Sequence, residues 1–257
     1  MANETPVPWT NESRRRFLKQ AATFAGSAPF VPAVGAATMV AVPLSAHAQG
    51  NADTGNAAGL GPGIQGYQSL GPDEAAFVET LVNVMCPADE LTPGGVDCGL
   101  AVFIDRQLAG GYGKGERLYM RGPWVQGKPQ HGYQLPLTPE QFFKVGIAVA
   151  NDAARRKFGA DFADLAAPDA DAFLLELAAG AITDPRMSLT MWFEEVVYPL
   201  FVQACFADPI YGGNQDKVFW RMVGYPGLPA LHTQDMVEYR GKPYPGARDP
   251  LSIVDFS

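Results

Sequence analysis

The stretch Ser188-Leu189-Thr190-Met191-Trp192-Phe193-Glu194-Glu195-Val196-Val197-Tyr198-Pro199-Leu200-Phe201-Val202-Gln203-Ala204-Cys205-Phe206 carries the strongest helical periodicity in the chain. Trp192, Phe193, Val196, Val197, Leu200, Phe201 and Ala204 recur at helical spacing and form a stripe too broad for a surface helix. Such a face has to be covered by other elements. Glu194 and Glu195 interrupt the stripe, and Pro199 predicts a kink because it removes an amide donor from the helix interior. Strand-like alternation is sparse elsewhere and confined to short pieces. The expected fold is therefore mainly α, a single compact helical domain with long Gly/Pro/aromatic loops and an extended C-terminal tail.

Upstream of that helix, Gly71-Pro72-Asp73-Glu74 sets up a start, with Pro suited to the first turn and acids suited to its positive end. Phe77, Leu81, Val84 and Met85 mark one face of a helix that stops near Pro87. A short helix fits Leu100 to Leu108, with Asp105, Arg106 and Gln107 as its polar residues. Thr138-Pro139-Glu140-Gln141 is a strong start signal, since Thr caps, Pro occupies the first position and Gln sits three residues on. Phe142, Phe143, Ile147, Val149, Ala150, Ala153, Ala154 and Phe158 continue it, and another helix fits Asp169 to Ala179.

Two regions depart from this regularity. Between Gly110 and Pro136 the chain mixes seven glycines with Tyr112, Tyr119, Trp124, His131 and Tyr133, a composition that suits a partner-facing loop or a surface loop pinned by its aromatics. Asp208-Pro209-Ile210-Tyr211-Gly212-Gly213-Asn214 reads as a turn, with Asn214 placed to cap a helix beginning about Asp216. The tail beyond Gly224-Tyr225-Pro226-Gly227 is rich in Tyr, Pro and Gly, and its aromatics have to lie on the protein's own body or on a partner.

The N-terminus carries an address. Ser13-Arg14-Arg15-Arg16-Phe17-Leu18-Lys19 precedes a run without acidic or basic residues that extends to Asp53, and Ala46-His47-Ala48 offers a small-x-small cleavage site. Ser13, Arg14, Arg15, Phe17, Leu18 and Lys19 match the twin-arginine pattern that sends folded proteins across the bacterial cytoplasmic membrane. An uncleaved anchor is the competing reading. Pro29, Pro32 and Pro43 with Gly26 and Gly35 make the run a poor membrane span. The expected organisation is a signal over residues 1–48, a glycine-rich flexible leader over 49–69 and a helical domain with its tail over 70–257.

Removing residues 1–48 leaves fifteen basic against twenty-five acidic residues, a balance that disfavours nucleic acid and anionic lipid. Cys86 and Cys98 flank a short loop through Pro87, Pro93, Gly94 and Gly95 and are a candidate disulfide; Cys205 reads as a small buried hydrophobe. Catalytic signatures are missing. After signal removal only His131 and His232 remain, and Glu194 and Glu195 are adjacent, so they cannot face one another on a helix. Gly111-Tyr112-Gly113-Lys114-Gly115 lacks the order of a phosphate loop, and no dinucleotide fingerprint, nucleophile elbow or haem attachment motif occurs. No catalytic, cofactor-binding or metal residue is assigned.

Four segments together resemble the gluconate 2-dehydrogenase subunit 3 family, the small subunit of membrane-bound flavin-dependent sugar and polyol dehydrogenases. They are Cys86-Pro87-Ala88-Asp89, Phe103-Ile104-Asp105, Asp208 through Asn214, and Met222-Val223-Gly224-Tyr225-Pro226-Gly227. The resemblance spans roughly residues 70 to 245. Phe219-Trp220 stands where the family commonly has Gly-Trp, so backbone packing there is expected to differ. The resemblance implies an accessory role at the periplasmic face of the cytoplasmic membrane, beside a catalytic flavoprotein carrying FAD and a multihaem cytochrome c subunit. Membrane association is then indirect, through the complex. The expected partner surface comprises Tyr112, Trp124, Asp208, Tyr211, Gly212, Gly213, Asn214 and Tyr225. A periplasmic small-ligand-binding module and an autonomous oxidoreductase are the alternatives.

Overall fold

The computed structural model describes residues 66–124, 127–128, 135–229 and 231–256. The expected export signal and the expected leader up to residue 65 lie outside the described residues, as do His131 and Tyr133. Among the described residues the architecture is mainly helical and holds no β-strand, with isolated bridges at Asp184–Met187 and Gly227–Leu251.

Helix α1 (Pro72–Met85) starts where the Glu74 side chain accepts the Gly71 amide at 2.8 Å. Helix α2 (Leu100–Ala109) buries nearly its whole length, and α3 (Pro139–Phe158) begins with reciprocal bonds between Thr138 and Gln141. Helix α4 (Ala167–Ala178) follows a short 3-10 turn that buries Phe162. The decisive stretch then runs as α5 (Leu189–Trp192), a π-helical segment (Phe193–Val197) and α6 (Tyr198–Phe206).

The expected kink at Pro199 is resolved as that π segment. Proline lacks an amide proton and its ring crowds the carbonyl four residues back. Widening the preceding turn lets the Tyr198 amide reach Phe193 O, five residues back, and the chain is helical on both sides of the segment. Glu194 and Glu195 point outward from the widened turn while Val196 and Val197 stay buried.

Helix α1 packs against α2, α3 and α4, α2 lies along α6, and α3 lies against α5. Trp192 is fully buried at their junction and donates from Nε1 to Phe143 O at 3.1 Å. Phe77 and Phe143 lie within 6.2 Å and 6.0 Å of its ring, and Phe162 lies 4.6 Å from Phe77. The indole fits because residue 146 is glycine: a Cβ there would come within 2.0 Å of Trp192 Nε1.

Three expectations are corrected. The pinned chain begins before Gly71, because the amides of Gln68, Ser69 and Leu70 all bond to the Asp105 carboxylate at 2.8–2.9 Å. Asp105, read as a polar face residue of α2, is thus buried and holds the entry segment down. The helix expected from Asp216 begins instead at Val218 as α7 (Val218–Val223), because Asn214, Asp216 and Lys217 adopt left-handed backbone angles that cannot continue a helix. The tail, expected to be extended, contains α8 (Thr233–Glu238) and 3-10 turns at Pro245–Ala247 and Ile253–Phe256.

Candidate functional site

The Asp208–Asn214 turn begins with an aspartate that serves two segments. Asp208 Oδ1 accepts the Ile210 amide at 3.1 Å, starting the 3-10 turn Pro209–Tyr211, while Oδ2 accepts the Ile253 amide at 3.0 Å from the end of the chain. The carboxylate ties the turn to the tail.

The glycines that follow are required by close approach. Gly212 has φ +101°, and its carbonyl oxygen would lie 2.2 Å from a Cβ on Gly99 at the head of α2. A Cβ on Gly213 would come within 2.4 Å of Ala204 O in α6. Each larger residue would wedge the turn away from the helices. Asn214, wholly buried, donates from Nδ2 to Ala207 O at 3.1 Å and accepts the Phe219 amide at Oδ1 at 3.0 Å, joining the end of α6 to the start of α7. The Gln215 amide donates to Cys98 O at 3.0 Å.

The expected partner residues therefore divide into two groups. Gly212, Gly213 and Asn214 are buried and shape the turn; Asp208 is half-buried and fastens the tail to it. Tyr211 projects outward at 52% exposure, with Ile210 beside it. The tail's final turn packs against this one and adds exposed Ile253, Val254 and Phe256. Lys217 clamps it by bonding both Asp255 oxygens at 2.8–2.9 Å. A contiguous set of outward apolar side chains results, held by polar pins beneath.

Tyr112, Trp124 and Tyr225 are also exposed, each with about the same fraction of its surface in water. Tyr225 stacks edge-on against Trp220 at 5.1 Å, and the Trp220 indole donates to Phe206 O at 2.8 Å. Tyr112 sits in the glycine-rich segment after α2. There Gly113 lies so close to Leu108 that a Cβ would meet its carbonyl oxygen at 1.8 Å, and Gly113 O accepts the Glu140 amide at 3.1 Å. Burial around Glu140 would raise its carboxyl pKa, but hydrogen bonds from Lys114 and Ser69 outweigh it and hold the group below its ordinary range.

Chemistry-bearing groups are scattered. Among the described residues no group of three or more His, Cys, Asp or Glu is placed to hold a metal ion. Glu194 and Glu195 are exposed, and His232 bonds Asp235 and Gly227 within the tail. All three cysteines are buried free thiols, with Cys86 and Cys98 adjacent at the base of the 86–98 loop.

No sequence signal singled out Leu231, Met236 and Val237, which are more than 70% exposed around α8. Asp105 was singled out only as part of the Phe103-Ile104-Asp105 segment; its burial against the 68–70 amides was not readable from the sequence.

The fold and its outward apolar turn define a class: a mainly helical domain that invests its polar groups in holding a surface in shape. The family model described as gluconate 2-dehydrogenase subunit 3 matches residues 72–227, and the chain belongs to that family. The match contains both the Asp208–Asn214 turn and the Gly224–Gly227 segment. The family is that of the small subunit of a multi-subunit gluconate dehydrogenase complex. No curated protein and no solved structure matches the chain. Among the described residues no helix is long and apolar enough to cross a membrane.

Proposed function

We propose that this chain is the non-catalytic small subunit of a flavin-dependent gluconate or related sugar or polyol dehydrogenase complex, and that it escorts the folded catalytic flavoprotein to the periplasmic side. The observation that carries this reading is the pairing of a subunit 3 family match over residues 72–227 with a twin-arginine pattern at Ser13–Lys19 in one chain. FAD then resides in the flavoprotein and haem c in a multihaem cytochrome partner. Residues 1–48 act as the signal, the stretch from 49 up to the pinned segment at 68–70 as the leader, and the remainder as the body, which reaches the membrane through its partners.

The physical logic rests on linkage. A subunit that binds the folded flavoprotein and not its unfolded chain stabilises it by about 2.7 kcal/mol when present at a hundred times its dissociation constant. Because the twin-arginine route carries folded cargo, one signal then exports both chains, and cofactor insertion precedes transport. The contact surface is centred on Tyr211 and Ile210, with Tyr112, Trp124 and Tyr225 as further aromatic contacts. Rigid aromatics lose little conformational entropy on docking, which suits them to such a surface.

Replacing Arg14 and Arg15 by Lys tests the escort role. The small subunit and the flavoprotein should both accumulate in the cytoplasm, seen by fractionation and flavin fluorescence. A flavoprotein that still reaches the periplasm in normal amount refutes co-export.

A further inference from the structure

The chain leaves α1 at Cys86, reverses through residues 87–97 and returns at Cys98 to the head of α2. The reversal is held by backbone bonds: the Gly95 amide donates to Cys86 O, the Cys98 amide to Gly94 O and the Leu100 amide to Gly95 O, at 2.9–3.0 Å. Gly95 permits it, since a Cβ there would lie 2.3 Å from Val82 O. Both thiols converge on one acceptor. Cys98 Sγ donates to Pro93 O at 3.5 Å and Cys86 Sγ reaches the same oxygen at 3.9 Å, so the two thiols lie side by side against a single carbonyl.

We propose that Cys86 and Cys98 are a disulfide-forming pair whose oxidation turns residues 87–97 into a covalent loop locking α1 to α2. The pairing follows from this local geometry; the export reading enters only in naming the periplasm as the place where the oxidant is met. Cys205 is wholly buried, and desolvation pushes its thiol well up, so it stays reduced as a packing group of α6.

The two thiols have different roles. The neighbouring Cys98 thiol, and after it Thr92, lowers the Cys86 pKa against the effect of burial, while Cys86 and burial push Cys98 up. Cys86, which alone of the two also has the Thr92 hydroxyl beside its sulfur at 3.9 Å, is assigned as the attacking thiolate. It displaces one thiolate from a disulfide-bearing oxidant to form a mixed disulfide. Cys98 then gives up its proton and attacks Cys86 Sγ, releasing the oxidant's second thiolate. Two protein thiols lose two electrons, one oxidant disulfide becomes two thiols, and both protons end on those thiols. Because Cys86 and Cys98 are 2% and 1% exposed, the oxidant reaches them only when the 87–97 loop opens. Leu91, at the tip of that loop, is exposed.

The purified full-length chain, reduced and then equilibrated with glutathione disulfide, should yield a peptide in which Cys86 and Cys98 are joined. Cys205 should take up a thiol alkylator only after unfolding. Closing a loop of this size should raise Tm by roughly 5–10 °C, reversed by dithiothreitol and missing in Cys98→Ser. Recovery of both cysteines as free thiols from the glutathione-treated chain, or a link from either to Cys205, overturns the pairing. The complex isolated without reductant reads the compartment separately. A link that forms with glutathione disulfide but is missing from the native complex upholds the pair and counts against the periplasmic reading.

Discussion

The junction around Trp192 and the tail beyond Gly227 are built on opposite plans. At the junction a large indole is sealed between α3 and α5, with one hydrogen bond to a helix carbonyl and aromatic rings on its faces. In the tail the polar groups do the holding: Asp208 to Ile253, Lys217 to Asp255, and Leu228 N to Leu251 O. Leu231, Met236, Val237, Ile253, Val254 and Phe256 meanwhile stay exposed, while Tyr239 and Tyr244 pack on each other. A core made by burial gives stability. A surface made by polar pins keeps apolar side chains out of the core and available to a partner, and that division suits a subunit.

The harshest way to break this contrast is Trp192→Ala, which should cost about 3–5 kcal/mol through lost burial and the cavity left behind. Urea denaturation should show a lower midpoint with an unchanged slope; a loss below 1 kcal/mol would mean that the junction is not the stability centre. Asp105→Ala comes next at about 3 kcal/mol, because the 68–70 amides lose their shared acceptor and that of Leu70 is buried. Hydrogen exchange at residues 68–70 should accelerate more than in the middle of α3, and uniform acceleration would count against a local pin.

The tail gives smaller and more local effects. His232 places both ring nitrogens against acceptors, Asp235 Oδ2 at 3.0 Å and Gly227 O at 3.2 Å, an arrangement that suits the doubly protonated ring. The bond to Asp235, then the one to Gly227, raises its pKa above the ordinary 6.5. A raised folded-state pKa means that the contribution is fully present below about 6.5 and is lost as pH rises through the folded value. Proton NMR titration of His232 should move downward in Asp235→Asn; an unmoved titration would dissolve the clamp. Tyr211→Ala should change folding stability by less than about 0.5 kcal/mol, since the side chain is exposed. It should nevertheless reduce recovery of the flavoprotein in co-purification. Equal recovery would separate the turn from the partner surface.

Much of the helical framework was legible because its signals are local. Thr138-Pro139-Glu140-Gln141 specifies a start through atoms three residues apart, and the spacing of Phe142, Phe143 and Ile147 states which face is buried. The turn was legible as a turn, but its division into buried glycines and an exposed tyrosine was not. That division depends on where Gly99 and Phe103, distant in sequence, and Ala204 of the preceding helix lie. Asp105 escaped for a related reason: an acidic residue among polar neighbours on a helix reads as solvated until another segment brings three amides to it. The start of α7 was misplaced because left-handed angles at Asp216 and Lys217 follow from how Asn214 and Asp255 are engaged, and neither residue's identity announces them.

By itself the sequence determined the helical class, the caps, the position of the proline distortion and the family to which the chain belongs. These rest on spacings of a few residues and on short motifs. Tertiary structure decided that Pro199 is absorbed by a π segment, that Asp105 faces inward, that Cys86 and Cys98 meet, and that Tyr211 stands on a surface shared with the end of the chain. The Asp105 and Tyr211 outcomes bring together groups far apart along the backbone, and the other two turn on how one helix turn and one short loop settle among packed helices, which no residue's identity states.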